Sequence, residues 1–371
     1  MSQRKVVYII SDIDKAMAFE WVSKHLNHNF RLSFVLIGKP GSRLSKSLLN
    51  LGNNVIEIKS PNTLSFIPTF IKVLYVFLNL RPQVIHTHLI KANLIGLTAG
   101  WLLKIKKRIY TRHHALVHHH EHKQGLWMDK WCNYVATDII AISENVKQIL
   151  IELDGANPEK VHLIHHGFDL EYFGAVNEPA LQRLKTKLNL NDTQHPVVGV
   201  VARYQQWKGI QYIIPAFKKL LNFQPGAHLI LANAHGSYEG EIKKALQDLP
   251  TRSYSEILFE ADSSSLFKLF DIYVHVPVDP QSEAFGQTYV EALASGIPCV
   301  FTLSGVAPEF IVHEENALVV PFSNPESIYQ SIRRLLEDTD LKSRLIMNGK
   351  KSANLFPLSK MISQLEQLYE Q

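Results

Sequence analysis

One stretch of the chain, residues 279–300 (DPQSEAFGQTYVEALASGIPCV), constrains the fold more than any other. It follows an apolar run at residues 272–276, whose β-branched and aromatic side chains predict a buried strand. After a polar loop, residues 288–294 have the composition of a helix, which Gly296 and Pro298 end before a second apolar strand begins. This order of strand, loop, helix and strand predicts a parallel α/β sheet, in which ligands bind beyond the carboxyl ends of the strands.

The loop between the first strand and the helix carries groups that suit a sugar linked to a phosphate. The backbone N–H groups of Phe285, Gly286 and Gln287 lie where a helix begins and has unpaired donors for an anion. Glu283 precedes these donors and Glu291 follows them within the helix. The two carboxylates would accept hydrogen bonds from hydroxyl groups on either side of a phosphate, those of a sugar on one side and of a ribose on the other.

The rest of the chain repeats the alternation of strands and helices in two blocks. In the first block, apolar runs predict strands at residues 6–10, 32–37, 55–58, 84–86, 108–111, 139–142 and 161–164. In the second block, strands are expected at residues 196–201, 228–232, 257–259, 272–276 and 299–302. A polar stretch between the blocks predicts two parallel-sheet domains, residues 1–175 and 176–356, followed by a final helix at about 357–371.

The net charge of +5 is unevenly distributed along the chain. Residues 1–170 have a formal charge of +9 and 13 of the 18 histidines, whereas the remainder has a charge of −4. A basic half indicates either an ordinary solvated surface or an anionic partner, such as phospholipid headgroups or a lipid-linked pyrophosphate. The interleaved aromatic and arginine residues of a nucleic-acid channel are missing, so no nucleic-acid partner is expected. The dinucleotide fingerprint G-x-G-x-x-G is also missing, which argues against an NAD enzyme.

Cysteine usage and hydropathy bear on the compartment. The chain has only two cysteines, far apart, which indicates a reducing environment without a disulfide framework. The apolar run at residues 6–10 is too short for the core of a signal peptide, so a cytoplasmic location is expected. Residues 66–80 (FIPTFIKVLYVFLNL) are apolar, but they are shorter than a membrane span of about 20 residues and contain Pro68 and Lys72. A buried or partly interfacial helix is expected there, with membrane contact as the alternative.

Two cations follow the first strand of the second block. The sequence GVVAR ends that strand and WKG opens the next helix, which places Arg203 and Lys208 at the same sheet edge as Glu283. A guanidinium binds a phosphate through two N–H groups, and an ammonium acts as a point charge. Together they would neutralise a diphosphate leaving group without a metal ion.

The sequence SEAFGQTYVEALASGIPCV resembles the nucleotide-sugar signature of the family 4 retaining glycosyltransferases, which have the GT-B fold of two Rossmann-like domains facing a central cleft. The resemblance covers most of residues 84–335 and includes the cations, since the family has an Arg and a Lys in the same V-x-R…K-G context. It implies that Glu283 binds the donor sugar, that Glu291 binds the ribose and that the diphosphate lies on the helix start. It also implies that the final helix packs back on the first, acceptor-binding domain.

The resemblance further implies a histidine beside the donor sugar, at the end of a strand in the first domain. The sequence YTRHH ends such a strand, and His113 is the best match, with His114 as its competitor. His86 and His88, in VIHTH, end the preceding strand and are candidates for acceptor binding. The catalytic residues that the family pattern implies are therefore His113, Glu283, Arg203 and Lys208.

Two patterns raise a metal site as an alternative. His118 and His122 have the i, i+4 spacing of zinc ligands on a helix, but the other ligand spacings of a zinc hydrolase are missing. Asp12 and Asp14 form a D-x-D, but they follow the first strand of the domain that is not expected to bind the nucleotide. We therefore expect no metal and no cofactor, and we interpret residues 113–122 as a polar loop over the acceptor site.

The residues and the resemblance together predict a retaining, metal-independent hexosyltransferase that moves a sugar from a nucleotide-sugar donor to a glycan or lipid-linked acceptor. The family implies bacterial surface polysaccharide or lipopolysaccharide biosynthesis. The expected location is the cytoplasm, in peripheral contact with the inner membrane through the basic N-terminal domain. Two alternatives stay open: a UDP-sugar epimerase of the same fold, and a non-catalytic subunit that binds a sugar nucleotide.

Overall fold

A computed structural model describes residues 3–60, 62, 65–120, 123–190 and 194–371. The chain divides into two compact units, of which the first is Met1–Gly167 with Leu358–Gln371 and the second is Phe168–Pro357. The division at Gly167 lies shortly before the boundary expected at residue 175. Each unit contains one parallel sheet with helices packed on it, which confirms the α/β fold.

The sheet of the first unit has seven parallel strands in the order β3-β2-β1-β4-β5-β6-β7. Its inner strands are rich in Val and Ile and are almost wholly buried, as expected when helices cover both faces of a sheet. The order reverses between β1 and β4, so ligands are expected beyond the carboxyl ends of these two strands. The strands are β1 (Arg4–Ser11), β2 (Phe30–Gly38), β3 (Asn54–Lys59), β4 (Val84–His88), β5 (Lys107–Arg112), β6 (Asp138–Ala141) and β7 (Val161–Leu163).

The helices of the first unit connect these strands. They are α1 (Met17–Leu26), α2 (Arg43–Asn50), α3 (Phe66–Leu80), α4 (Ile90–Leu102), α5 (Val117–His120), α6 (Leu126–Val135) and α7 (Glu144–Gln148). The helix expected at residues 66–80 is α3, which packs on the sheet through Thr69, Val73 and Phe77. Among the described residues, none of the helices combines the length and the apolar character that crossing a bilayer requires.

The second unit has a six-stranded parallel sheet in the order β10-β9-β8-β11-β12-β13, which reverses between β8 and β11. The strands are β8 (Val197–Val201), β9 (His228–Ala232), β10 (Tyr254–Ile257), β11 (Ile272–His275), β12 (Cys299–Phe301) and β13 (Leu318–Val319). The two edge strands of this sheet, β10 and β13, differ from the strands that the sequence predicted. The first three residues of β10 are half-exposed and two of them are polar, so they lack an apolar signal, and β13 is only two residues long.

Helices cover this second sheet and close its core. They are α8 (Leu170–Gly174), α9 (Glu178–Lys187), α10 (Ile210–Phe223), α11 (Glu239–Leu246), α12 (Ser263–Phe267), α13 (Gln287–Ala294), α14 (Pro325–Glu337) and α15 (Thr339–Ala353). A large cluster of buried aliphatic and aromatic side chains from α10, α11, α14 and α15 packs on the central strands. This core gives β8 and β11, the strands that end at the switch point, a rigid support.

The final helix, α16 (Leu358–Glu370), packs on the first unit rather than on the second. The hydroxyl group of its Tyr369 hydrogen-bonds the hydroxyl of Tyr8 in β1 and lies 2.6 Å from Nδ1 of His86 in β4. The carbonyl oxygen of Tyr369 accepts a hydrogen bond from Arg4. The last turn of the helix is thereby attached to the two central strands of the first sheet.

A buried ion network stabilises the segment that follows β5. The guanidinium of Arg112, which is 1% exposed, lies 2.8 Å from a carboxylate oxygen of Asp129 and 2.9 Å from one of Asp154. His118 contacts Asp129 at 2.6 Å and His119 contacts Asp154 at 2.8 Å. Residues 113–122, predicted to be a polar loop, thus contain helix α5, and the segment contacts buried charges as far as His119. Residues 121 and 122 lie outside the described residues.

Replacing Arg112 with Met should destabilise the protein by about 3 to 5 kcal/mol, because two buried carboxylates lose their cation. The matched control is Arg43→Met, which removes an exposed contact of 2.6 Å with Asp14 and should cost no more than about 1 kcal/mol. Urea unfolding followed by circular dichroism measures both. Equal midpoints for the two variants would contradict this account of the network.

Candidate functional site

The second unit brings Lys208 and Glu283 together at the switch point of its sheet. Arg203 and Lys208 follow β8, and Glu283 follows β11, so all three lie beyond the carboxyl ends of the two strands between which the order reverses. The Nζ atom of Lys208 lies 2.5 Å from Oε1 of Glu283, although 75 residues separate them. Arg203 is exposed, so its guanidinium is accessible to an anion.

A close backbone approach makes the contact between the two loops. Gly209 has φ of +76°, and a Cβ atom there would lie 1.9 Å from the carbonyl oxygen of Val276. Only glycine therefore allows the loop after β8 to pass directly over the end of β11. The N–H of Val278 also donates to the carbonyl of Trp207 at 3.0 Å, and Lys208 lies over the Trp207 ring, 4.4 Å from its centroid. These contacts position the ammonium group of Lys208 next to the carboxylate of Glu283.

Glu283 is buried and ionised. Its carboxylate oxygen Oε1 also lies 3.1 Å from Nε2 of His275, the last residue of β11. Burial would raise the pKa of Glu283, but the charge of Lys208 and the contact with His275 outweigh burial and lower the pKa to about 2. Burial lowers the pKa of His275, and the neighbouring carboxylate opposes that shift. Glu283 therefore remains an acceptor of hydrogen bonds throughout the physiological pH range.

The loop after β12 positions Glu283 from the other side. The hydroxyl oxygen of Ser304 accepts the backbone N–H of Glu283 at 3.1 Å, and the N–H of Val306 donates to the carbonyl of Phe285 at 3.0 Å. Gly305 has φ of +63°, and a Cβ atom there would lie 2.7 Å from Cβ of Glu283. His275 and Ser304 were not predicted from the sequence, since one lies within an apolar run and the other in an ordinary turn.

Helix α13 begins next to this cluster without a side-chain cap. Its N-cap residue, Gly286, has φ of +83° and provides no side-chain hydrogen bond to the first turn. No acidic side chain lies in that turn either, and Gln287 is exposed there. Phe285 is buried, with its ring 6.0 Å from that of Phe168, and anchors the loop. The start of α13 thus offers backbone donors and a positive helix end to an anion.

Glu291 lies on the second turn of α13. The residue is partly buried, and burial raises the pKa of its carboxyl group to about 7. Lys208 and His275 lower the pKa of Glu283, whereas burial raises that of Glu291, so the two glutamates occupy different environments. The role expected for Glu291 in binding a ribose stays a prediction.

In the first unit, histidines cluster at the ends of β4 and β5. Nδ1 of His88 lies 2.9 Å from Nε2 of His113, and the rings of His86 and His88 are 4.2 Å apart between centroids. The other face of His113 stacks on His166, with centroids 5.7 Å apart and ring planes 12° apart. His166, which follows β7, was not singled out from the sequence, because nothing in its local pattern marks it.

These histidines are neutral at neutral pH. Burial lowers the pKa of His86 to about 3 and that of His166 to about 4. For His88 and His113, burial and the neighbouring histidines lower the pKa well below its ordinary value. The cluster therefore presents imidazoles that donate and accept hydrogen bonds without adding charge.

The structure separates His113 from its sequence neighbour. The ring of His114 points to Asp129, with Nε2 3.3 Å from the carboxylate, and so belongs to the buried ion network and not to the stack. His114, His118 and Asp129 bring three potential metal ligands within 4.8 Å of one another. However, the Arg112 guanidinium lies 2.8 Å from the same carboxylate group and opposes the binding of a cation there. The expected absence of a metal stays a prediction.

The D-x-D of the first unit is part of the surface around the end of β1. Asp14 pairs with Arg43, and Asp12 pairs with Lys91 at 3.3 Å. A cavity of about 540 Å³ adjoins them, lined by Asp12, Asp14, Lys39, Ser42 and the ends of β1 and β2. Cations already balance both carboxylates, which suits a polar ligand pocket better than a metal centre.

Two family models match this chain. One, described as "Glycosyl transferases group 1", matches residues 182–352, and the other, "Glycosyltransferase Family 4", matches residues 39–172. The capsular polysaccharide biosynthesis glycosyltransferase CapM of Staphylococcus aureus is 26% identical over 332 residues, which cover 85% of this chain and 84% of that protein. The D-inositol 3-phosphate glycosyltransferase of Corynebacterium glutamicum (strain R) is 26% identical over 248 residues, 62% of this chain, and the match spans just over half, 57%, of that relative's length.

Solved structures establish the fold. Anabaena Alr3699/HepE, in complex with UDP and glucose, superposes with a TM-score of 0.85 at 20% identity and covers 98% of this chain and 99% of that one. Sucrose-phosphate synthase from Thermosynechococcus elongatus has a TM-score of 0.79 at 18% identity, with 99% and 98% covered. The two Rossmann-like units therefore form the GT-B fold that the sequence predicted.

The buried histidines should make stability depend on pH. In the unfolded chain they titrate near pH 6.5, whereas in the folded protein their pKa is lower. Below pH 6.5 the unfolded state therefore binds more protons, and the stability of the folded protein decreases as the pH is lowered. At pH 5.5 a histidine with a folded pKa near 3, such as His86, costs about 1.4 kcal/mol. His88→Phe, which keeps the aromatic contacts with Tyr8 and Phe19, should reduce the loss of stability between pH 7 and 5.5, because burial and the neighbouring histidines hold the pKa of His88 well below its ordinary value.

The control for this prediction is His25→Phe, at an exposed position on α1. Urea unfolding at pH 7.0 and 5.5 measures the free energy of unfolding, which should change between the two pH values as much in this variant as in the original protein. If His88→Phe lost as much stability on acidification as His25→Phe does, the neutral state of the cluster would be contradicted.

Proposed function

Since this chain belongs to glycosyltransferase family 4, we propose that it transfers a hexosyl group from a nucleotide-sugar donor to a glycan or lipid-linked acceptor, with retention of the anomeric configuration. One observation carries the proposal: a buried, ionised Glu283 held by Lys208 at the switch point of the second sheet, beside the uncapped start of α13. The alternatives of an epimerase and a non-catalytic subunit are outcomes of the experiment below.

The donor binds to the second unit. Its diphosphate lies at the start of α13, near Phe285, Gly286 and Gln287, where backbone N–H groups and the helix dipole favour negative charge. Arg203, exposed after β8, and Lys208 add two positive charges. The complexes of the Anabaena protein with UDP and with UDP-glucose support a donor of this class.

Hydroxyl groups of the donor meet the two glutamates. Glu283 is ionised because Lys208 keeps its pKa at about 2, so it accepts hydrogen bonds from the transferred sugar. Glu291, with a pKa raised to about 7, gains partners for its partly buried carboxyl group when the ribose hydroxyls donate to it.

Transfer proceeds without an enzymic nucleophile. The acceptor oxygen forms a bond to the anomeric carbon as the bond from that carbon to the diphosphate breaks, and the acceptor proton passes to an oxygen of the departing diphosphate. Arg203, Lys208 and the start of α13 stabilise the negative charge that develops on the leaving group. Front-face displacement of this kind retains configuration, which fits a site whose buried carboxylate, Glu283, is already paired with Lys208 and His275.

The acceptor binds to the first unit. His113 contacts the donor sugar, and His86 and His88 lie on the acceptor side, where the three neutral rings contact one another. His114 lies in the ion network and supports this segment. The cavity of about 540 Å³ near Asp12 and Lys39 is of a size that suits a polar acceptor.

The setting that these observations support is surface-glycan assembly on the cytoplasmic side of the membrane. The similarity to CapM, which is named for capsular polysaccharide biosynthesis, supports a polysaccharide product, and lipopolysaccharide is a second product of the same chemical class. A chain of this kind would bind its lipid-linked acceptor at the membrane surface.

Lys208→Met and Glu283→Gln should each lower donor turnover by a factor of about 100 or more, because each removes a charge that contacts the donor. A thermal-shift screen with UDP-, GDP- and ADP-sugars first identifies the donor, since a ligand of the folded state raises the melting temperature. Release of the nucleoside diphosphate, with and without candidate acceptors, then measures turnover. Lys218→Met, which removes an exposed lysine 3.6 Å from Asp248, is the matched control and should keep full activity.

The double variant Lys208→Met/Glu283→Gln separates catalysis from stability. It leaves no buried unpaired charge, so it should recover the stability that Lys208→Met loses while remaining inactive. Near-normal turnover by either single variant would contradict the assignment. An isomerised sugar from donor alone would indicate an epimerase, and a donor that binds but is never turned over would indicate the non-catalytic subunit.

Turnover should persist in excess EDTA, because cations of the protein and the helix start neutralise the leaving group. Restoring Mg²⁺, Mn²⁺ or Zn²⁺ should change the rate by less than about twofold. A catalytic metal supplies several kcal/mol of transition-state stabilisation, so its return would change the rate by a far larger factor. A fall to background in EDTA that Mn²⁺ or Zn²⁺ reverses would replace this mechanism with a metal-dependent one.

A further inference from the structure

Aromatic rings enclose His88, the last residue of β4. Its imidazole stacks on the ring of Tyr8, with centroids 5.5 Å apart and planes 7° apart, and the ring of Phe19 lies nearly perpendicular to it at 4.8 Å. The ring of His86 is 4.2 Å away between centroids. Since His88 is only 6% exposed, these contacts keep its imidazole in one orientation, with Nδ1 next to His113.

The backbone fixes the same position. Leu89, the residue after His88, has φ of +70° and ψ of 154°, a conformation that residues with a Cβ atom rarely adopt. Such a conformation persists only where the surrounding structure imposes it, and it is concentrated at functional sites. Here it turns the chain from the end of β4 into α4 directly after the histidine. Both packing and backbone therefore determine where the ring of His88 lies.

The hydrogen bonds of the cluster leave one ring nitrogen of His88 unpaired. His86 uses both of its nitrogens, because Nδ1 lies 2.6 Å from the hydroxyl of Tyr369 and Nε2 lies 2.8 Å from that of Thr111. In His88, Nδ1 lies 2.9 Å from Nε2 of His113, whereas Nε2 is buried and has no hydrogen-bond partner among the described residues. In a contact between two neutral imidazoles, one ring donates its N–H and the other accepts it.

The unpaired nitrogen decides which ring donates. If His113 donated, the proton of His88 would lie on Nε2, and a buried N–H group would have no acceptor. Buried N–H groups without a partner are rarer in proteins than acceptors that lack one. The favoured arrangement therefore has the proton of His88 on Nδ1, from which it is donated to Nε2 of His113. The proton of His113 then lies on its own Nδ1, and this residue is partly exposed.

We propose that His88 is a positioning residue for transfer: it fixes His113 in the Nδ1–H tautomer, so that His113 presents an N–H donor to a hydroxyl oxygen of the transferred sugar. This role rests on the proposed function, in which His113 contacts the donor sugar. The ring of His166 lies 5.7 Å from that of His113 and parallel to it within 12°, which stabilises the same ring plane. A neutral N–H donor complements Glu283, which as an ionised carboxylate only accepts, because a sugar hydroxyl can accept one hydrogen bond and donate another.

The tautomer is measured directly, without donor or acceptor, on the full chain labelled with ¹⁵N-histidine. Two-bond ¹H–¹⁵N correlation spectra at neutral pH separate a protonated ring nitrogen from an unprotonated one by chemical shift, and the loss of signals in His113→Gln identifies those of His113. They should show Nδ1 protonated in the original protein. In His88→Leu, Nε2 of His113 loses its donor and the ring can turn that nitrogen toward solvent, so the two shifts should become averaged between tautomers.

Kinetics of two variants separate the hydrogen bond from the volume of the side chain. Asn has an amide N–H that can donate to His113, whereas Leu has none. The substrate is the nucleotide sugar that the thermal-shift screen identifies, and kcat/KM is measured by release of the nucleoside diphosphate. It should fall about tenfold in His88→Leu and recover about threefold or more in His88→Asn, as expected for one hydrogen bond of ordinary strength. The matched control, His228→Leu, removes a buried imidazole at the amino end of β9 and should keep the original kcat/KM.

Three results would overturn the proposal: a proton on Nε2 of His113 in the original protein, an unchanged tautomer in His88→Leu, or equal kcat/KM in His88→Leu and the original protein. If His88→Leu and His228→Leu lost activity alike, in step with their melting temperatures, the role of His88 would be structural. If the original protein released no nucleoside diphosphate, the proposed function and the role of His88 in it would both be wrong, and the spectra would still decide which nitrogen of His113 is protonated.

Discussion

A carboxylate buried in a protein interior needs a positive partner, and the contact of Glu283 with Lys208 meets this need at the centre of the second unit. The contact requires the loops after β8 and β11 to come within hydrogen-bond distance, and Gly209 makes that possible by passing over the carbonyl of Val276. The loop after β12 then closes over Glu283 through Ser304 and Gly305. The geometry of the candidate donor site is therefore a consequence of one ion pair and of the small residues that allow it.

The two units bury polar groups in opposite ways. The second unit keeps fixed charges at the switch point of its sheet, where Glu283 stays ionised. The first unit buries histidines that lose their protons, and His88 and His113 contact each other as neutral rings. Its buried charges, Arg112 with Asp129 and Asp154, stabilise the segment after β5. Fixed charge suits a diphosphate, and neutral rings suit hydroxyl groups, which matches the division of roles that we propose.

Residue patterns predicted the elements that carry the site, but not every residue in it. Glu283, Lys208 and the start of α13 were found because loops after buried strands, glycines and cations form a local pattern. His275 was missed because a histidine inside an apolar strand gives no signal of its own, and its role depends on a glutamate that follows in a separate loop. The sequence also could not distinguish His113 from His114. In the structure His113 contacts His88 and His166, whereas the ring of His114 points to Asp129.

The amino-acid sequence by itself determined the two parallel sheets, the helix at residues 66–80 and the loops that carry charged residues, because hydrophobic periodicity and glycine positions act over short stretches of chain. Tertiary structure decided what those residues do. It paired Lys208 with Glu283 across 75 residues, stacked His166 on His113 and left the outer side of α3 uncovered. The physical reason is that ionisation, hydrogen bonding and exposure depend on which groups lie within a few ångströms, and packing of the whole chain sets those distances.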